Sequence, residues 1–220
     1  ETYNNIVDKK FYITRLKKRY KEAALPKVKI INLKSEILDK ESWIAKKTIS
    51  EVNKYLDKGE QALFFLNRRG YAPYVICKKC GYKFQCPNCA VNLNFHKKFN
   101  KLLCHYCGHK SLISRLCKDK KQCDLLFCGP GVERIFSELK KIYPNKKVEI
   151  FSSDTLKKNI STSALLKKVE KKKIDILIGT QLLSKGFHFP KLNCIVVVDG
   201  DFSSHGYDLR SAEKNIQLYH

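Results

Sequence analysis

Eight of the chain's ten cysteines fall between Cys77 and Cys123, most of them in pairs. The spacing from Cys77 through Cys80, Cys86, Cys89, Cys104, Cys107 and Cys117 to Cys123 is C-x2-C-x5-C-x2-C-x14-C-x2-C-x9-C-x5-C. A C-x-x-C turn aims two thiolates at one ion, and two such turns close a tetrahedral zinc site. Eight thiols therefore suit two Zn2+ ions. Paired thiols in a chain expected to stay in a reducing compartment point to metal rather than to disulfides. The bacterial iron–sulfur run, three cysteines as C-x2-C-x2-C, is absent. Gly81, Pro87 and Gly108 supply the residues that tight turns favour. The fourth pair is irregular, because Lys120 stands where C-x-x-C spacing would put the thiol that comes at Cys123. Cys123, His105 or His109 are the candidates for the last ligand, and weak binding at that site is a further alternative. Sites closed by thiolates leave no position for water, so the zinc module is expected to be structural rather than catalytic.

The rest of the composition sets the class. Of 220 residues, 43% are hydrophobic and 11% aromatic, enough for a packed core. The formal charge is +23, from 44 basic against 21 acidic residues. A surplus of that size fits a polyanionic partner, nucleic acid before an anionic membrane; a surface generally rich in lysine is the plainer explanation. No apolar run approaches the ~20 residues of a membrane span. The opening "ETYNNIVDKK" has no apolar leader core, so a cytoplasmic location is expected. It starts on Glu1 rather than Met, and the chain is expected to be part of something longer.

Along the chain, "KFYITRL" (10–16) and "KVKIINL" (27–33) have the pattern of strands, and "ESWIAKKTISEVNKYLDKG" that of a helix stopped at Gly59. "QALFFLNRRG" (61–70) reads as a buried strand running into a turn, and "DLLFC" (124–128) as a short strand before a glycine turn. "VERIFSELKKIYP" carries Val132, Ile135, Phe136 and Leu139 on one helical face. Strands are expected at 147–151, 174–180 and 192–201, helices within 155–173 and from Asp208. Apolar strands alternating with helices predict an α/β fold with a mainly parallel sheet covered on both faces. The expected division is a linker with extended segments (1–40), the first part of the lobe (41–76), a zinc-binding insertion (77–123) and the rest of the lobe (124–220).

The motifs "LFFLNRRGYAPYVICKKCGYKFQCPNC", "LLCHYCGHK", "CGPGVER", "ILIGTQLLSKGFHFP" and "DLRSAEKNIQLY", in this order over residues 63–219, resemble the PriA family (primosomal protein N′) of replication-restart DNA helicases. The resemblance implies a superfamily 2 helicase with two RecA-like lobes and ATP between them, unwinding DNA 3′ to 5′ at stalled or branched forks. This chain would be the second lobe with its zinc insertion. By the same resemblance, Asn67, Arg68 and Arg69 lie in helicase motif IV and Thr180, Gln181, Lys185 and Gly186 in motif V. Asp199 and Arg210 fall in the segment beyond, with Asp201 and Glu213. Of these, Asn67, Arg68, Arg69, Thr180, Gln181, Lys185, Gly186, Asp199 and Arg210 would contact nucleotide or DNA. It also implies that Cys86/Cys89 close one zinc site with Cys104/Cys107, and that Cys77/Cys80 await Cys117/Cys123. Implied partners are forked and single-stranded DNA, primosome proteins and single-strand DNA-binding protein, with no membrane.

The physical reading of these motifs is compatible. A strand end followed by polar residues, as in "IGTQ", is where an α/β sheet offers backbone amides to phosphates. Lys185 adds a point charge, and Gly186 lets a sugar-phosphate chain approach. Taken alone, "SKGFHFP" and "NRRG" are ordinary solvated turns. "CIVVVDGD" looks like a Walker B strand, yet no G-x-x-x-x-G-K-[ST] loop accompanies it. ATP and Mg2+ are therefore expected only in the full-length parent, and the chain by itself is expected not to hydrolyse ATP. The alternatives are a stand-alone zinc-ribbon nucleic-acid-binding or scaffolding module, or a remnant of a split helicase gene.

Overall fold

The stretch Gln61–Phe65 is apolar after its first residue, and every one of its side chains is buried (β1). A strand of this kind belongs in the middle of a parallel sheet with both faces covered. In the computed structural model it lies there. The sheet has the order β7-β8-β1-β9, formed by Val148–Phe151 (β7), Ile176–Gly179 (β8), β1 and Leu192–Val197 (β9), all parallel. The structure describes residues 2–14, 24–39, 42–66, 71–114, 117, 122–152, 162–180, 183, 189–198, 200, 213 and 217.

Alternation along β1 sorts the core into two layers. Ala62, Phe64 and Leu66 face a cluster with Val52 and Leu56 of helix α2 (Lys46–Leu56) and with Ile135 and Leu139 of helix α3 (Val132–Ile142). Leu63 and Phe65 face the other side, where they join Phe151, Leu177, Leu183 and Leu165 and Val169 of helix α4 (Thr162–Glu170). The buried Gln61 amide donates to Val169 O at 3.0 Å and Ile174 O at 2.7 Å, which ties the end of α4 to β1. The expected α/β class is thus observed: a parallel sheet with helices on both faces, consistent with a RecA-like lobe.

A cysteine-rich insertion leaves the end of β1 and returns before α3. Tyr74–Cys77 (β2) pairs antiparallel with Leu125–Cys128 (β6), and Asn94–His96 (β3), Lys101–Leu103 (β4) and Lys110–Leu112 (β5) form a small antiparallel sheet. The strand expected at 124–128 forms, but as the partner of β2 and outside the parallel sheet. Ala72, Val75, Phe84, Leu93, Phe95 and Leu102 make the insertion's own core together with Cys86 and Cys104. At its neck Gly129 takes φ +79°, and a Cβ there would sit 2.7 Å from Pro73 Cγ.

Residues Glu1–Asn32 form a separate unit, whose described residues include a short helix, Thr2–Val7 (α1). The strands expected at 10–16 and 27–33 are not seen in the described residues: 11–14 and 24–32 have no strand, and Leu33 opens a single 3-10 turn. Val28 and Ile30 are 84% and 91% exposed. The alternating pattern meets no neighbouring strand there, and a strand needs a partner to satisfy its backbone. No helix among the described residues is long and apolar enough to cross a membrane.

Candidate metal centre

Three of the cysteine pairs adopt the same local turn. Gly81 N–H donates to Cys77 O, Ala90 N–H to Cys86 O and Gly108 N–H to Cys104 O, at 2.8, 2.9 and 3.0 Å. A second bond from the first cysteine's own N–H, to Tyr82 O, Val91 O and His109 O respectively, closes each loop. The residue after each second cysteine is left-handed, with φ +71° at Gly81, +55° at Ala90 and +80° at Gly108. Two of these positions carry the glycine that the conformation favours; Ala90 adopts it with a Cβ.

These turns bring Cys86, Cys89, Cys104 and Cys107 together, with all four Sγ atoms within 4.8 Å of one another. The two knuckles meet edge to edge, Cys86 Sγ lying 3.5 Å from Cys107 Sγ and Cys89 Sγ 3.5 Å from Cys104 Sγ. A zinc–thiolate tetrahedron with ~2.3 Å bonds has sulfur–sulfur edges of about 3.8 Å, so the donor set fits Zn2+. Cys107 N–H, at 3.5 Å, and the Asn88 amide, at 3.9 Å from Cys107 Sγ, point at this sulfur cluster.

The second cluster is Cys77, Cys117 and Cys123, again within 4.8 Å of one another. Cys117 Sγ is 2.6 Å from Cys123 Sγ and 3.4 Å from Cys80 Sγ, but Cys80 does not share the mutual proximity of the other three. Lys78 N–H donates to Asp124 O at 2.7 Å, which lays the first knuckle beside Cys123. Of the sequence alternatives, Cys123 lies in this cluster despite its five-residue spacing, while His105 Nε2 faces His96 Nε2 at 3.0 Å.

Crowded thiols divide their protons unequally. Burial works against ionisation of Cys77, but the Cys80 amide and the Cys117 thiol outweigh it and lower the group to about 6. Cys104 falls to about 7, where burial is overcome by the amides of Cys107 and Tyr106. Cys89 is pushed up to about 12 by burial and by the thiols of Cys104 and Cys86. Cys117 is raised by Cys123 and then by burial, and Cys123 is raised chiefly by burial. A divalent cation replaces those shared protons, which is why such clusters suit metal.

Of the other expected site residues, Thr180 is described and directly follows β8. Phe65 pairs with Gly179 and with Val197, so the strands leading to Asn67, Thr180 and Asp199 end side by side. Thr180 itself is 8% exposed, and a Cβ on Gly179 would fall 2.0 Å from Leu183 Cδ1. Asn67, Arg68, Arg69, Gln181, Lys185, Gly186, Asp199 and Arg210 lie outside the described residues. What the sequence reading missed is a polar cluster joining the insertion to the lobe. Glu133 Oε1 sits 3.2 Å from His96 Nδ1, and Glu133 Oε2 accepts Lys97 N–H at 3.1 Å. Spacing gives no signal for contacts between residues 36 and 37 positions apart.

The family model for the PriA DNA helicase Cys-rich region (CRR) domain matches residues 86–111, the stretch that holds Cys86, Cys89, Cys104 and Cys107. The chain is 42% identical over 221 residues to the replication restart protein PriA of Rickettsia conorii, covering 100% of this chain and 34% of that protein. It is 36% identical over 224 residues to PriA of Chlamydia trachomatis, with 99% of this chain and 30% of the relative covered. Against PriA of Bacillus subtilis the identity is 33% over 219 residues, covering 99% of this chain and 27% of the relative. The chain spans about a third of the length of these curated relatives.

Proposed function

We propose, from the premise that this chain belongs to the PriA family, that it serves replication restart as the zinc-carrying second RecA-like lobe of an ATP-dependent 3′–5′ DNA helicase acting at stalled or branched forks. Its observation is the cluster of Cys86, Cys89, Cys104 and Cys107 inside the segment matched by the PriA Cys-rich region. These four thiolates hold the inner Zn2+. Cys77, Cys117 and Cys123, with Cys80, hold the outer one. Zinc supplies rigidity here rather than chemistry, since a closed thiolate shell gives a substrate no entry. The insertion is thereby a firm knob on the lobe for strand separation or partner docking.

DNA contact falls to the motif residues Asn67, Arg68, Arg69, Thr180, Gln181, Lys185, Gly186, Asp199 and Arg210, of which Thr180 directly follows strand β8 of the parallel sheet. Ends of parallel strands are where α/β folds bind phosphates, and the +23 charge supports a polyanionic ligand. ATP and Mg2+ bind in the full-length parent, whose phosphate-binding loop this sequence does not contain. Primosome proteins, single-strand DNA-binding protein and a cytoplasmic location follow from the family.

The test is binding of the zinc-loaded chain to forked and single-stranded DNA over a salt series, with an ATPase assay alongside. Affinity should fall on the order of 10³-fold from 50 to 200 mM salt if ~6 phosphates are neutralised, with no DNA-stimulated turnover. Salt-independent binding, or turnover by the chain alone, would contradict the proposal.

A further inference from the structure

The insertion interrupts the lobe between β1 and α3, and such a connection leaves orientation free unless something fixes it. Two adjacent residues in the first turn of α3, Glu133 and Arg134, gather contacts from the insertion. Glu133 takes His96 Nδ1 at 3.2 Å with one carboxylate oxygen and Lys97 N–H at 3.1 Å with the other. His96 is 5% exposed, and its Nε2 meets His105 Nε2 at 3.0 Å. His105 stands between Cys104 and Cys107, inside a knuckle of the inner cluster. The next residue, Arg134, holds the neck itself, donating to Phe127 O at 3.2 Å and Gly129 O at 3.5 Å. Its guanidinium lies over the Tyr71 ring, on which Lys97 Nζ also sits at 5.0 Å.

We infer that Glu133 is a positioning residue that fixes the β3–β4 hairpin and the Cys104–Cys107 knuckle on helix α3, so that the zinc insertion and the lobe move as one body. This deepens, and rests on, the reading of the insertion as a zinc-held knob. A carboxylate beside Nδ1 holds the proton there and orients the ring. His96 Nε2 then accepts from His105 Nε2–H, and the hydrogen bonds run from helix to knuckle. Bonds to an ionised acceptor are about twice as strong as neutral ones. A carboxylate that grips a side chain and the adjacent backbone amide also fixes direction as well as distance. The hairpin tip carries Lys97, Lys98 and the 44% exposed Phe99, so Glu133 decides where that tip stands relative to the lobe.

The test is hydrogen exchange on the zinc-loaded full chain, with zinc content measured in parallel. In Glu133→Ala the amides of 94–103 should exchange about tenfold faster, the scale of one lost charge-assisted bond. β1 and β8 should keep wild-type protection, and zinc content should not change. Glu133→Gln, which keeps one acceptor oxygen, should give a smaller but resolved increase, and it serves as the reading should the alanine variant misfold. His96→Ala added to Glu133→Ala should accelerate exchange by less than the sum of the two single effects, since both cut the His96–Glu133 link. Wild-type exchange at 94–103 in the glutamine and alanine variants, or fully additive effects, would overturn the inference. A metal-free wild-type chain would instead defeat the zinc reading, and that result is seen without any substitution at Glu133.

Discussion

Glu138 Oε1 accepts the backbone N–H of Ile44 at 3.0 Å, across 94 positions of sequence. The same carboxylate takes Trp43 N–H at 3.1 Å and the hydroxyl of Ser42. One side chain of α3 thus satisfies the turn that leads into α2, where no side-chain cap is present. Removing an acceptor that serves several part-buried donors leaves them unpaired. Glu138→Ala should cost roughly 2–3 kcal/mol in denaturant unfolding, and Glu138→Gln clearly less. An alanine variant within 0.5 kcal/mol of wild type would show that water replaces the carboxylate.

Ala90 holds a left-handed conformation, φ +55°, in the position that glycine occupies in the two sister knuckles. Ala90→Gly should therefore stabilise the zinc-loaded chain by about 1 kcal/mol. A lower unfolding midpoint for the glycine variant would mean that backbone entropy outweighs the relieved strain.

Gly129 is the opposite case. Its φ is +79°, and an added Cβ would meet Pro73 Cγ at 2.7 Å. Gly129→Ala should cost about 2 kcal/mol and increase proteolysis or exchange at the neck strands β2 and β6. Unchanged protection there would show that the neck yields easily.

Tyr143 is pushed up to about 12 by burial, with Cys194 and Asp57 adding to the shift. Its neutral hydroxyl bonds Asn53 Oδ1 at 2.9 Å and joins α3 to α2. An acid whose folded pKa is raised contributes stability that is complete below the unfolded value near 10 and is lost as pH climbs toward 12. Unfolding midpoints measured from pH 9 to 12 should fall more steeply for the wild type than for Tyr143→Phe. Parallel curves would remove Tyr143 as the cause.

Much of this was legible in the sequence because it is local. The unbroken apolar run Ala62–Phe65 announces a doubly covered strand, and the 3.6-residue stripe through Val132, Ile135 and Leu139 announces α3. Regular C-x-x-C spacing likewise announces the three knuckles. The segment 27–33 misled because alternation says only that a strand is possible, and no partner strand meets it among the described residues. β3, β4 and β5 have three residues each, too few for a period to register, and the knuckles they connect bring them together. The carboxylates of Glu133 and Glu138 act across distances that no spacing rule reaches.

The zinc content of the purified chain, read by native mass spectrometry on wild type, Cys104→Ser and Cys123→Ser, tests the central claim most directly. Two thiolate clusters predict two zinc ions in the wild type and one in each variant, with the inner ion lost from the first and the outer from the second. A wild-type chain without zinc, or a Cys104→Ser chain that still holds two, would contradict it.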